Sequence, residues 1–113
     1  MLVLGVETSC DETAVAIVEK KSDFGGKVIN EIISSQIEEH KPYGGVVPEL
    51  SSREHVKYLK KITEKVLKKS GMSIGDIDAF AATCGPGLLG GLLVGSNFVK
   101  SISLGLKKPS FAI

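Results

Sequence analysis

From Ala79 to Val99 the chain carries no charged side chain, and Gly85-Pro86-Gly87 stands inside that run. An uncharged stretch of this length would cross a bilayer if it formed one helix. It cannot be one helix, because proline lacks a backbone donor and restricts the residue before it, and the flanking glycines favour a turn. The run therefore divides into a buried strand, Ile77 to Cys84, and a helix, Leu88 to Leu106, joined by a tight loop. Strand followed at once by apolar helix is the unit from which helix-covered sheets are built. No membrane attachment is expected.

The segments before it supply the rest of such a sheet. Met1 to Val6 (MLVLGV) is a short apolar run suited to a strand buried on both faces. Thr13 to Glu19 alternates around Val15 and Ile17 after a tight polar connection, which predicts an antiparallel hairpin partner. After the charged, Gly-containing turn Lys20 to Gly26, Val28 to Ile37 reads as an edge strand. His40 to Val47 (HKPYGGVV) is a loop. Pro48 and Glu49 then suit the start of a helix in which Leu50, Val56, Leu59, Ile62, Val66 and Leu67 recur at helical spacing. Lysines 57, 60, 61, 65, 68 and 69 fill the other side, and Gly71 is a stop. Phe111 to Ile113 begins a further strand. The order is βββ-α-β-α-β in an α/β fold.

Composition narrows the class. Fourteen Lys+Arg against 13 Asp+Glu give a net charge of +1 over 113 residues, and 42% of the residues are hydrophobic. A disordered tail, a coiled coil and a strongly basic nucleic-acid module are excluded, and the length fits one domain. Two cysteines, Cys10 and Cys84, do not make a disulfide framework, and no basic-then-apolar leader opens the chain, so a reducing, cytoplasmic setting is expected.

Chemistry concentrates in two segments. Glu7-Thr8-Ser9-Cys10-Asp11-Glu12-Thr13 lies between two strands; amides and hydroxyls in a tight turn hold phosphate, and adjacent carboxylates orient water or a cation. Its ordinary reading is a solvated hairpin turn. Cys84-Gly85-Pro86-Gly87-Leu88-Leu89-Gly90-Gly91 opens a helix after a strand, where free amides attract anions. It matches neither the Walker nor the dinucleotide pattern, and a tight strand-to-helix turn explains it as well. Gly87, Gly90, Gly91, Gly95, Ser96 and Ser101 form a small-residue face on the second helix, suited to this chain's own sheet or to a partner helix. His40 and His55 lack zinc spacing, and His55 is expected to be a partly exposed helix residue. Cys10 and Cys84 are expected to be free, buried thiols. The lysine face is a solvated one, with contact to nucleic-acid phosphates as the sharper alternative.

GVETSCDETAVAIV (Gly5 to Val18), HKPYGGVVPELSSREHV (His40 to Val56) and CGPGLLGGLLVGSNFVKSISLG (Cys84 to Gly105) together resemble the N-terminal part of the TsaD/Kae family, also called Gcp or YgjD. The resemblance covers essentially the whole chain. It implies the ribonuclease-H-like half of the actin, heat-shock chaperone and sugar-kinase (ASKHA) fold. Residues 1–113 would be an N-terminal subdomain, with the second subdomain absent. It also implies a tRNA N6-adenosine threonylcarbamoyltransferase, which moves threonylcarbamoyl from its adenylate to the adenosine beside the anticodon of tRNAs reading ANN codons. The family's older label is a metalloprotease, O-sialoglycoprotein endopeptidase, but no HExxH helix supports that here.

By the same resemblance, Asp11 and Glu12 would be catalytic, Thr8, Ser9 and Cys10 would bind substrate with them, and Gly85, Pro86 and Gly87 would shape the facing loop. Threonylcarbamoyl-AMP or ATP would be the adenylate ligand. The family's iron or zinc would have no ligands in this chain, since they come after Ile113, and the chain alone would be inactive. The partners implied are tRNA, a TsaB-like paralogue paired through the two helices, further complex subunits, and a homodimer when that paralogue is missing. A non-catalytic scaffold module of the same complex is the competing expectation.

Overall fold

A computed structural model describes residues 1–113. The elements are β1 (Leu2–Glu7), β2 (Glu12–Ser22), β3 (Gly25–Ser35), α1 (Ile37–His40), α2 (Pro48–Lys69), β4 (Ala79–Ala82), α3 (Leu89–Leu106) and β5 (Ser110–Ala112), with 3-10 turns at Lys41–Tyr43 and Ile74–Asp76. The expected βββ-α-β-α-β order is present, with α1 as an addition. The third strand does not continue to Ile37. The Gln36 N–H turns to the Asp11 carbonyl (2.9 Å) and the Ile37 N–H to the Ser35 hydroxyl (3.3 Å), which ends the ladder. The second hairpin is longer than its apolar residues suggest: Glu19, Lys20 and Ser22 of β2 keep pairing with Lys27, Gly26 and Gly25 of β3, since charge does not disfavour a strand exposed to water.

One sheet carries the strands in the order β3-β2-β1-β4-β5. β1 pairs antiparallel with β2 and parallel with β4, and β5 adds parallel to β4. Alternation sends Leu4, Val6, Val15, Ile17, Phe80 and Ala82 to one face, where Leu59, Ile62, Val66 and Leu67 of α2 and Val99 of α3 close the core. Both long helices therefore lie on the same face. The opposite face is paved with Gly5, Ala14, Ala16 and Ala81 around a hollow of about 240 Å3.

α2 starts with Pro48 in its first turn and Glu49 beside it, and it ends with Lys68 and Lys69 before Gly71 at φ 65°. Acid at the start and base at the end both suit the helix dipole. Two expectations about α2 are corrected. Val56 is 66% exposed and does not join the core, while His55 is fully buried. The inward face runs through Ser51, His55, Leu59 and Ile62, so a polar residue occupies the place expected for an apolar one.

α3 is long and apolar enough, by length and composition, to cross a membrane. It packs on the sheet through Gly91, Gly95, Ser96, Val99 and Ser103. A Cβ at Gly91 would lie 2.2 Å from the Thr8 carbonyl oxygen, and one at Gly95 would lie 2.4 Å from the Thr8 hydroxyl. Of the two readings of the small-residue face, Gly91 and Gly95 serve the chain's own sheet; Gly90 and Ser101 stay exposed.

Candidate functional site

The parallel register Val3↔Ala79 to Val6↔Ala82 brings the ends of β1 and β4 side by side, so the two chemistry-bearing segments leave the sheet together. Glu7 and Thr83 are the first residues past that register. The Glu7 carboxylate accepts hydrogen bonds from the Ser9 N–H (2.5 Å) and from the Thr83 hydroxyl, which ties the turn to the loop. Burial alone would raise the Glu7 pKa, but the bonds from Ser9 and Thr83 outweigh it and hold this carboxyl below the usual range.

The next residue joins the turn to α3. The Thr8 hydroxyl donates to the Gly91 carbonyl (2.7 Å) and accepts from the Gly95 N–H (3.1 Å). The Leu88 N–H donates to the Ser9 carbonyl (2.7 Å), and a Cβ at Gly87 would come within 2.7 Å of Ser9. Only glycine at position 87 lets the loop lie this close to the turn. Thr8, Ser9 and Gly87 are thus brought together as one backbone surface. Gly85 and Pro86 project from it into open space, joined by a cis peptide bond.

The N–H groups of Cys10, Asp11, Gly85 and Gly87 take no partner within the chain, and α3 has no side-chain cap. Asp11 is half-buried, Glu12 is exposed, and neither forms an ion pair. Both cysteines are exposed, contrary to the buried thiols expected, because they sit in the two connections beyond the strand ends. Partial desolvation, and then the Asp11 carboxylate, push the Cys10 thiol up, which makes it a poor nucleophile at neutral pH. No three His, Cys, Asp or Glu side chains converge as a metal site.

Behind the turn runs a buried polar chain that the sequence reading missed. The Val47 N–H donates to His40 Nδ1 (3.1 Å), so His40 presents its Nε2 proton to the Gln36 side-chain oxygen (2.9 Å). Gln36 Nε2 then faces His55 Nδ1 (3.4 Å), which also accepts from the Thr13 hydroxyl (2.8 Å). His55 Nε2 is left as the donor to the Cys10 carbonyl (2.9 Å), where the Ser51 hydroxyl also donates. Burial lowers the His55 pKa; the Cys10 carbonyl, Glu7 and Asp11 act against that, and His40 acts with it. The signal was in the sequence, since His55 stands four residues after Ser51 and four before Leu59.

A five-stranded mixed sheet with two connections leaving the ends of adjacent parallel strands defines a ribonuclease-H-like fold of the ASKHA type. Solved structures agree on the fold: YeaZ from Pseudomonas aeruginosa superposes with TM-score 0.70 at 20% identity, covering 99% of this chain and 43% of that one. T. thermophilus RuvC in complex with Holliday junction substrate gives TM-score 0.60 at 13% identity, covering 100% and 65%. A sequence model of TsaD, described as tRNA N6-adenosine threonylcarbamoyltransferase, matches residues 27–113, and the chain belongs to that family. The tRNA N6-adenosine threonylcarbamoyltransferases of Brucella anthropi and Brucella abortus are each 48% identical to it over 113 residues, covering 100% of this chain and 32% of theirs. The chain thus spans about a third of the length of these relatives.

Proposed function

We propose that this chain is the turn-and-loop wall of a tRNA N6-adenosine threonylcarbamoyltransferase, acting in the cytoplasm. The observation that carries the reading is the junction of Thr8 to Glu12 with Thr83 to Leu88, where backbone donors without partners stand beside two carboxylates without counter-ions. Unpaired N–H groups suit the phosphate of threonylcarbamoyl-AMP, or of ATP, and Gly85 and Gly87 allow it close approach. In the reaction the adenosine N6 amine of tRNA attacks the carbamoyl carbonyl, the new C–N bond forms, the bond to phosphate oxygen breaks and AMP leaves. The amine must lose a proton, and Asp11 or Glu12 is the base at hand.

The same reading gives a pairing surface. Between α2 and α3 lies a groove lined by Val56, Leu59, Leu93, Val94 and Phe98, with Val56 and Leu93 well exposed. A paralogue of the same fold, TsaB-like, is the proposed occupant, and YeaZ shows that the fold recurs in a separate protein. The small-residue face of α3 is not that surface, because Gly91 and Gly95 are used internally. The proposal is tested by assaying threonylcarbamoyl transfer to tRNA by the intact protein with its natural partners. Asp11→Ala is expected to abolish most of the transfer while tRNA binding stays; unchanged transfer removes Asp11 from the chemistry.

A further inference from the structure

His55 makes contact with no surface that a substrate reaches, yet the site turn is built on it. Cys10 offers its carbonyl oxygen to two donors from α2, His55 Nε2 and the Ser51 hydroxyl. One residue on, the Asp11 carbonyl accepts from the Gln36 N–H. The backbone is therefore held at consecutive carbonyls, while no hydrogen bond to another residue's oxygen occupies the N–H groups of Cys10 and Asp11.

The direction of every bond in the chain behind it follows from its far end. An amide N–H can only donate, so Val47 fixes the His40 proton on Nε2, that proton orients the Gln36 amide, and Gln36 leaves His55 Nδ1 as an acceptor. His55 must then donate through Nε2. The chain links the backbone just before α2 to the turn between β1 and β2 through His40 of α1, Gln36 between β3 and α1, and His55 of α2, all inside the protein: Gln36, His40 and His55 are each buried. Satisfied buried networks of this kind fix one geometry, because any partner lost leaves a polar group stranded.

We propose that His55 is a positioning residue for threonylcarbamoyl transfer, holding the Cys10 carbonyl so that the Cys10 and Asp11 amides and the Asp11 carboxylate face the ligand. This rests on the proposed transfer reaction. The groups facing His55 are Thr13 of β2, Gln36 after β3, Ser51 of its own helix and the Cys10 carbonyl, with Glu7, Asp11 and His40 as the nearby charged or titratable groups.

The experiment compares the intact protein, in its natural complex, with His55→Leu, His55→Gln and Gln36→Leu. Glutamine retains an N–H donor for the Cys10 carbonyl, and leucine does not. For His55→Leu, kcat should fall by about tenfold to 100-fold while KM for tRNA changes by less than about twofold. His55→Gln should recover most of that loss. Hydrogen exchange of the amides bonded at the turn, that of residue 36 on the Asp11 carbonyl, Leu88 on the Ser9 carbonyl and Ser9 on the Glu7 carboxylate, should quicken in His55→Leu and Gln36→Leu and stay slow in His55→Gln, with β1 and β4 unchanged in all. A folded His55→Leu with normal kcat, a loss in KM alone, or a His55→Gln as slow as His55→Leu would each overturn the proposal. Where the leucine variants do not fold, a His55→Gln with unchanged pre-steady-state transfer and turn protection supports it, and one with a loosened turn and slow transfer overturns it. If the wild-type protein transfers nothing, the functional reading fails by itself, and slow exchange at the turn in His55→Gln against fast exchange in His55→Leu still decides the positioning claim.

Discussion

The carbonyl oxygen of Thr8 lies 2.2 Å from where a side chain at position 91 would begin, so the end of β1 and the first turn of α3 touch backbone to backbone. Alanine in a helix interior is ordinarily better than glycine by about 1 kcal/mol. At position 91 the order should invert. Gly91→Ala is expected to cost about 1–3 kcal/mol through overpacking. Gly105→Ala, on the same helix with open space around it, should gain a few tenths to about 1 kcal/mol. Thermal unfolding of the two variants reads both signs, and a stabilised Gly91→Ala would show that the contact is not close.

Thr8 holds the same junction by its hydroxyl. Thr8→Val keeps the shape and removes the bonds to Gly91 and Gly95. The expected loss is about 1–3 kcal/mol, since both helix groups are buried there. Urea unfolding with an unchanged m-value checks it.

Acid should weaken the fold in two stages. His55 has its pKa lowered by burial from an ordinary 6.5, so the unfolded chain takes up the proton first. Stability is full above pH 6.5 and declines as the pH falls through the folded value. Glu7 is held below its ordinary 4.5 by Ser9 and Thr83 against the effect of burial, so its contribution is present above 4.5 and is lost at lower pH. In His55→Gln the upper stage should vanish and the lower stage persist. Urea midpoints measured from pH 8 to pH 3 separate them.

Charge placed in the groove between α2 and α3 should spare the fold and break the proposed pairing. Leu93 is 50% exposed and Val56 more so, hence Val56→Glu with Leu93→Glu should change stability by less than about 1 kcal/mol. Pull-down of a same-fold partner should fall at least tenfold. A double variant that still binds would place the interface elsewhere.

Much of this was legible in the chain. Hydrophobic period and turn residues marked each strand of the sheet and both long helices, and Gly85-Pro86-Gly87 divided the uncharged run where β4 ends and α3 begins. The motifs around Asp11 and Gly87 did lie at one sheet edge. What the pattern hid depends on register. Glu7 and Thr83 meet only because Val6 pairs with Ala82, and nothing local to either residue announces that. His55 was hidden for another reason: a histidine among lysines looks solvated, and its burial follows from polar partners on β2 and just after β3, far away in sequence. The same spacing mistake put Val56 inside, one position round the helix from the residue that is buried there.

The sheet face opposite the helices has a consequence for how the molecule behaves in a tube. Gly5, Ala14, Ala16 and Ala81 line its hollow, and Phe111 stands 53% exposed on a neighbouring strand. The net charge is +1, and the isoelectric point is about 7.7. Near neutral pH there is almost no long-range repulsion to oppose the meeting of such faces. Concentrated alone, the chain should show attractive colloidal interactions at pH 7.7, and these should weaken as the buffer is taken one or two units to either side.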